Sequence, residues 1–331
     1  MPEIAAILKA LELHRGEPAV LGTLVSVEGS SYRRPGARLL CLADGTHCGS
    51  ISGGCLEEDL KEQARQVLAS GAARTVTYDT TTENDLVWGV GLGCQGIVRI
   101  LLERLPAERP TWVETLRANL AQRRPTPLIV HHGGPTPGGT QLAEGASATY
   151  PANEVFLETI LPPPALVVFG AGDDAQSLVG IAKTLGWHLT VADTRAAYVT
   201  AVRFPQADRL LVAPAGELAA RTGLAAGDYA VILTHRYSDD LELLRTLLPR
   251  PLAYLGLLGP RKRTERLLAQ LRTEGLSLGA GMLEKLHAPV GLDLGSRTPE
   301  SVALAIIAEV QARRSGRPAG FLRDRPGPIH G

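Results

Sequence analysis

The chain has 331 residues, and its 34 Lys plus Arg are balanced by 34 Asp plus Glu, so no net field draws in nucleic acid or an anionic membrane surface. At roughly 100–200 residues per domain the length points to two domains; with 44% hydrophobic but only 4% aromatic residues, aliphatic side chains must fill the core. Residues 1–10 carry no long apolar run before a small-residue cleavage site, no stretch approaches the ~20 apolar residues of a membrane span, and four cysteines are too few for a disulfide scaffold. The expectation is a cytoplasmic protein with neither nucleic-acid nor membrane partners.

Ile4, Ile7, Leu8 and Leu11 recur at helical spacing and predict an opening amphipathic helix. Ala19 to Val27 and Arg38 to Leu42 read as strands, and Asp44-Gly45 as a turn leading towards Cys48 and Ile51. Leu56, Leu60, Ala64, Val67 and Leu68 form one helical face, with Gly71 where a C-terminal cap belongs. Thr75 to Tyr78 and Ile97 to Leu102 read as further strands, separated by the glycine-rich stretch Gly89 to Gly96. From Pro125 to Pro164 the composition turns to loop formers, including His131-His132-Gly133-Gly134-Pro135 and Pro137-Gly138-Gly139, so the histidine pair is expected in a flexible loop. The boundary is set before Pro162-Pro163-Pro164, giving an N-terminal domain over residues 1–160.

Beyond that boundary strands alternate with helices. Leu166–Phe169, Leu189–Ala192, Leu210–Val212, Ala230–Leu233 and Leu252–Leu257 are candidate strands; Asp174–Leu185, Asp239–Leu248 and Arg261–Arg272 are candidate helices. This alternation implies a parallel sheet with crossovers. A last helix is expected from Pro299 to Arg313, capped by Thr298, in a domain over residues 161–315. The Pro-, Gly- and Arg-rich tail over 316–331 is expected to be mobile. The fold class is α/β: an N-terminal α+β domain followed by a C-terminal Rossmann-like domain.

Gly170-Ala171-Gly172-Asp173-Asp174-Ala175 after a strand reads G-x-G-x-x-A, and Asp193 ends the next strand, about where a ribose-binding acid is expected. Asp173 and Asp174, however, would repel a pyrophosphate at the helix start. Three glycine-rich blocks mark the N-terminal domain. In Gly29–Arg38, Arg33, Arg34 and Arg38 could hold phosphate or carboxylate, or only be solvated. In Gly49–Glu58, Gly53-Gly54 deliver Cys55 to the first turn of a helix, which would favour a nucleophilic or metal-binding thiolate; the alternative is a small buried apolar group. In Gly89–Gly96, Gly93 and Cys94 suggest backbone packed on a ligand, or an elaborate turn. No C-x-x-C occurs and Cys41 and Cys48 are seven apart, so zinc is not expected, and Cys41 is read as core. His235 follows a strand and suits acid–base or binding work, although capping by Ser238 or Asp239 would explain the same polar cluster, while Arg261-Lys262-Arg263 open a helix against its dipole, which is unfavourable unless an anion or acidic partner compensates. No catalytic residue is assigned.

In order, these blocks resemble the XdhC/CoxI family of xanthine dehydrogenase accessory proteins. The matching stretches are Gly29–Ala37, Gly49–Glu57 and Gly91–Gly96, then Phe169–Ala175, Asp193–Arg195, Thr234–His235, Tyr254–Arg263 and Gly291–Glu300. The resemblance implies a chaperone that binds the molybdenum cofactor, supports its sulfuration by a cysteine desulfurase and delivers it to a molybdenum hydroxylase. It also implies a homodimer. Cys55 and Cys94 would meet molybdenum or sulfur, and Arg33, Arg34 and Arg38 the pterin phosphate; the Rossmann-like domain would hold a nucleotide such as NAD(P), or the pterin. The third block departs from the family in having Gln95 where Gly is usual. Two rival readings are an NAD(P)-dependent oxidoreductase using His235, and a docking module that binds no cofactor.

Overall fold

Ile4, Ile7 and Leu11 line the buried face of α1 (Pro2–Leu13) in the computed structural model, which describes residues 2–79, 96–134, 137–143, 151 and 153–326. The chain divides into two compact units, Met1–Pro162 and Pro163–Gly331.

In the first unit, β1 (Ala19–Gly29), β2 (Arg38–Leu42), β3 (His47–Gly49), β4 (Arg74–Asp79) and β5 (Gly96–Leu105) form an antiparallel sheet in the order β3-β2-β1-β5-β4. Successive side chains on a strand point to opposite faces. Val20 and Leu24 accordingly pack with Leu60, Ala64 and Val67 of α2 (Glu57–Ser70). Ala19 and Leu21 pack on the other face with α1 and with Trp112, Val113 and Leu116 of α3 (Thr111–Ala121). Both faces are covered, which is why residues 19–25 form an unbroken buried run. Gly71 ends α2 with φ 75°, a left-handed conformation glycine adopts without strain.

The region expected as loops contains a second antiparallel sheet, β7-β6-β8, from β6 (Thr126–His131), β7 (Gly139–Leu142) and β8 (Val155–Ile160). His131 ends β6, and His132 is buried with its N–H donating to the Glu154 carbonyl at 2.8 Å, so the pair does not lie in a flexible loop. The apolar run Leu128-Ile129-Val130 is too short for its periodicity to announce a strand. Buried Glu103 of β5 ties the two sheets by accepting the Thr140 N–H of β7 at 2.9 Å.

The second unit carries six parallel strands: β9 (Ala165–Phe169), β10 (His188–Asp193), β11 (Arg209–Val212), β12 (Tyr229–Ile232), β13 (Tyr254–Leu257) and the two-residue β14 (Leu286–His287). Their order, β11-β10-β9-β12-β13-β14, is that of a Rossmann fold, with the switch point between β9 and β12. Leu166 and Val168 face α4 (Asp173–Thr184) and α9 (Pro299–Ser315). Val167 and Phe169 face α5 (Ala215–Arg221), α6 (Tyr237–Leu247) and α7 (Arg261–Thr273). A short α8 (Ala280–Glu284) precedes β14. Thr298 caps α9 in a reciprocal box with Ser301, with Pro299 at the first helical position. Among the described residues no helix is long and apolar enough to cross a membrane.

Candidate functional site

The first two glycine-rich blocks, and the last residue of the third, meet at one end of the five-stranded sheet. Gly29 closes β1 opposite Gly96, which opens β5. A Cβ on Gly96 would stand 2.3 Å from the Ser30 carbonyl oxygen, so no larger residue fits where this strand begins. Gly53 has φ +80° and lies against the Tyr32 ring, where an added Cβ would sit 3.0 Å from Cε1. The Arg-bearing block thus touches the Cys55 block through Tyr32 and the end of the third block through Ser30. Gly93, Cys94 and Gln95 lie outside the described residues.

Glu57 organises the Cys55 loop, a role that residue type and spacing alone did not single out. One carboxylate oxygen accepts the N–H groups of Ile51 (3.0 Å) and Ser52 (2.9 Å) and the Ser50 hydroxyl (2.8 Å); the other accepts the Gly54 N–H (2.9 Å) and the Ser52 hydroxyl. Burial pushes this carboxyl up, but the hydrogen bonds from Ser52, Ser50 and Ile51 outweigh it and hold the pKa at about 2. The loop amides are therefore turned onto the protein's own carboxylate. The available signal was an acid two residues past Cys55, at the start of a helix after a Ser/Gly loop. Cys55 is exposed and precedes the N-cap Leu56, so it stands before the helix and not in its first turn. Cys41 is half-buried, and burial pushes its thiol up to about 11, against the pull of Lys61 and Arg65.

The three arginines separate. Arg38 is 2% exposed; its guanidinium donates to the Gly36 carbonyl at 2.9 Å and pairs with Glu158 of β8. Arg33 pairs with Glu3 of α1, which also accepts the Arg38 backbone N–H at 2.9 Å. Arg34 is exposed and has no side-chain partner among the described residues. Of the three expected phosphate ligands, Arg38 is thus sealed into the fold and Arg33 is neutralised by Glu3, which leaves Arg34 as the one without a side-chain partner among the described residues.

In the second unit, the expected dinucleotide elements gather at the carboxyl ends of the strands. Gly170 has φ +112°, and a Cβ there would lie 2.5 Å from the Leu233 carbonyl oxygen; around Gly172, the N-cap of α4, nothing lies within 4 Å of an added Cβ. Asp193 is 1% exposed. Its Oδ2 accepts the Ala171 N–H and Arg195 Nη2, both at 2.7 Å, and its Oδ1 accepts the Arg195 backbone N–H at 2.9 Å and Nε at 3.0 Å. Four bonds fill a carboxylate's acceptor sites, so Asp193 does not offer the ribose contact expected of it. Burial works against ionisation, but Arg195 and the Ala171 N–H dominate and hold the pKa at about 2.

His235 has φ 59°, is half exposed, and its Nε2 lies 3.0 Å from Asp174 Oδ2. Its carbonyl accepts Arg263 Nη1 at 3.3 Å, and Arg263 pairs with Asp240, which is buried and whose carboxyl burial pushes up. Asp173 pairs with Arg203 at 2.9 Å. Arg261 and Lys262 are exposed in a first turn of α7 that holds no acid. Carboxylates thus occupy the α4 N-terminus, and the residues at this switch point do not fit a bound NAD.

Fold and site define a two-unit protein: a Rossmann unit preceded by an α+β unit that presents an exposed thiol on a glycine-rich loop. The chain belongs to the XdhC and CoxI family. The XdhC and CoxI family model matches residues 12–79, and the XdhC Rossmann domain model matches residues 166–310. The chain is 32% identical over 330 residues to a probable xanthine dehydrogenase subunit of Bacillus subtilis (strain 168), covering 94% of this chain and 97% of that protein. It is 27% identical over 304 residues to the molybdenum cofactor insertion chaperone PaoD of Escherichia coli (strain K12), covering 91% and 85%. A crystal structure described as a xanthine dehydrogenase from Bacillus halodurans superposes with a TM-score of 0.81 at 30% identity, covering 96% of this chain and 98% of that one.

Proposed function

We propose that this chain is a cytoplasmic accessory factor that binds the molybdenum cofactor as cargo, holds it during sulfuration and hands it to a xanthine dehydrogenase-type molybdenum hydroxylase. The observation that carries this reading is the meeting of the first two glycine-rich blocks with Gly96 at one sheet end, with the Cys55 thiol exposed and the Arg34 guanidinium without a side-chain partner among the described residues. A thiolate is a soft ligand suited to molybdenum or to sulfur handling, and a planar guanidinium suits a phosphate. The relative named for cofactor insertion supports the same role. In this reading a cysteine desulfurase supplies the sulfur, the working form is a homodimer, and Cys94 joins Cys55 at the cargo.

The filled Asp193 carboxylate weighs against the rival reading as an NAD(P)-dependent oxidoreductase. The test is the pterin and molybdenum content of the protein after co-production with an intact cofactor pathway, alongside Cys55→Ala and Cys94→Ala. Near-stoichiometric cargo in the parent, lost in a variant, is the expected result. A folded parent chain carrying neither pterin nor metal would overturn it.

A further inference from the structure

We infer that Tyr32 is the platform on which the planar ring of the cargo stacks, an assignment that rests on the carrier reading above. Tyr32 is 67% exposed, in a chain where aromatic residues make up only 4%. One edge of its ring rests on Gly53, where an added Cβ would lie 3.0 Å from Cε1 and 3.1 Å from Cδ1. Gly53 is itself held: its N–H donates to Ser50 Oγ at 3.1 Å, and the flanking Ser52 and Gly54 N–H groups donate to Glu57 at 2.9 Å. The ring is therefore braced against a pinned backbone turn while most of its surface remains in water. Bracing of this kind lowers the ordering cost of binding, and tyrosine has only two side-chain torsions to lose.

The neighbours narrow the ligand chemistry. Arg34, two residues after Tyr32, is exposed without a side-chain partner among the described residues. Cys55, two residues after Gly53, presents an exposed thiol. A ligand that satisfies all three groups combines a flat π-system, an anionic group and a soft metal or sulfur centre. A phosphorylated pterin bearing a metal dithiolene has that combination; a simple nucleotide lacks the third part.

The test uses the full chain with Tyr32→Phe and Tyr32→Leu, and as probe the metal-free 6-hydroxymethylpterin monophosphate, its Kd read by fluorescence. Because the ring is mostly in solvent, neither substitution removes core packing, and the thermal midpoint checks this. The expected result is that Phe binds like the parent and Leu roughly 5- to 140-fold more weakly, the range that base–aromatic stacking supplies. The Tyr32 ring protons should also shift upfield in NMR spectra with the pterin and not with inorganic phosphate. Parent-like binding by Tyr32→Leu, or unmoved Tyr32 resonances, would overturn the platform and leave the carrier reading standing. A parent chain that takes up no pterin would bring both down together.

Discussion

Asp193 and Arg195 lock onto one another from positions two apart: the carboxylate receives the arginine's backbone N–H at 2.9 Å, its Nε at 3.0 Å and its Nη2 at 2.7 Å. The remaining acceptor site goes to the Ala171 N–H at 2.7 Å, which fastens the first glycine turn to the end of β10. An acid at this place in a Rossmann fold ordinarily reaches a ribose. Here it is a structural tie.

Asp193→Asn should therefore cost stability rather than selectivity. Removing the charge from buried Asp193 weakens the charge-assisted hydrogen bonds it accepts from Arg195, which is itself a third exposed, a loss of about 1.5–3 kcal/mol, read as a lower denaturation midpoint of the second unit. The depressed pKa of about 2 means the contribution is whole above the ordinary Asp range, near pH 4, and fades as pH falls through about 2. A variant as stable as the parent at pH 7 would sink this reading.

Glu57 obeys the same sign, since its pKa of about 2 lies below that of an ordinary carboxyl. Glu57→Gln presents an amide to a cluster of donors, and charge-assisted hydrogen bonds are worth about 1.5–3 kcal/mol. Protection of the Ile51, Ser52 and Gly54 amides from hydrogen exchange, taken relative to the intrinsic rate at each pH, should fall by roughly tenfold or more, and acidification of the parent towards pH 2 should lower the same protection. Unchanged exchange at all three amides would count against the role.

Arg38 and Arg34 should part company under mutation. Arg38→Ala leaves Glu158 unpaired in a largely buried setting and should destabilise the first unit by about 3 kcal/mol. Arg34→Ala should stay within about 0.5 kcal/mol while lowering retention of a pterin phosphate. Urea unfolding and cargo analysis of the two variants separate the roles; equal stability loss in both would show that Arg34 is held by the fold.

The two glycines of the β9–α4 turn give a fourth contrast. Gly170→Ala adds a Cβ 2.5 Å from the Leu233 carbonyl oxygen at φ +112°, so the chain must shift or strain by several kcal/mol, on the order of 3. Gly172→Ala meets open space at φ −70° and should cost at most about 1 kcal/mol. Thermal midpoints should differ accordingly; similar values would mean the turn is looser than its geometry.

Much of the fold was legible in local pattern. Helical spacing of Ile4, Ile7 and Leu11 and the Thr298-Pro299 start of α9 are short-range signals, because caps and amphipathic faces are decided by neighbouring residues. The alternation of strands with helices after Pro164 likewise announced a parallel sheet. The strands at 126–131, 139–142 and 155–160 were missed because each is short and its core-facing residues have no periodic run long enough to read.

Residue order alone was enough for the family, the Rossmann alternation and the residue types available for chemistry. Which of those residues are free emerged only once the chain was folded. Arg33, Arg34 and Arg38 are alike in one dimension, but Glu3 lies 30 residues from Arg33 and Glu158 lies 120 from Arg38, and it is those distant carboxylates that neutralise two guanidiniums, while the third has no side-chain partner among the described residues. Asp193 had the right residue type in the right place, yet its acceptor sites were consumed by Arg195 and Ala171. Pairing of charges across the fold depends on which side chains the sheets bring together, and spacing along the chain does not encode that.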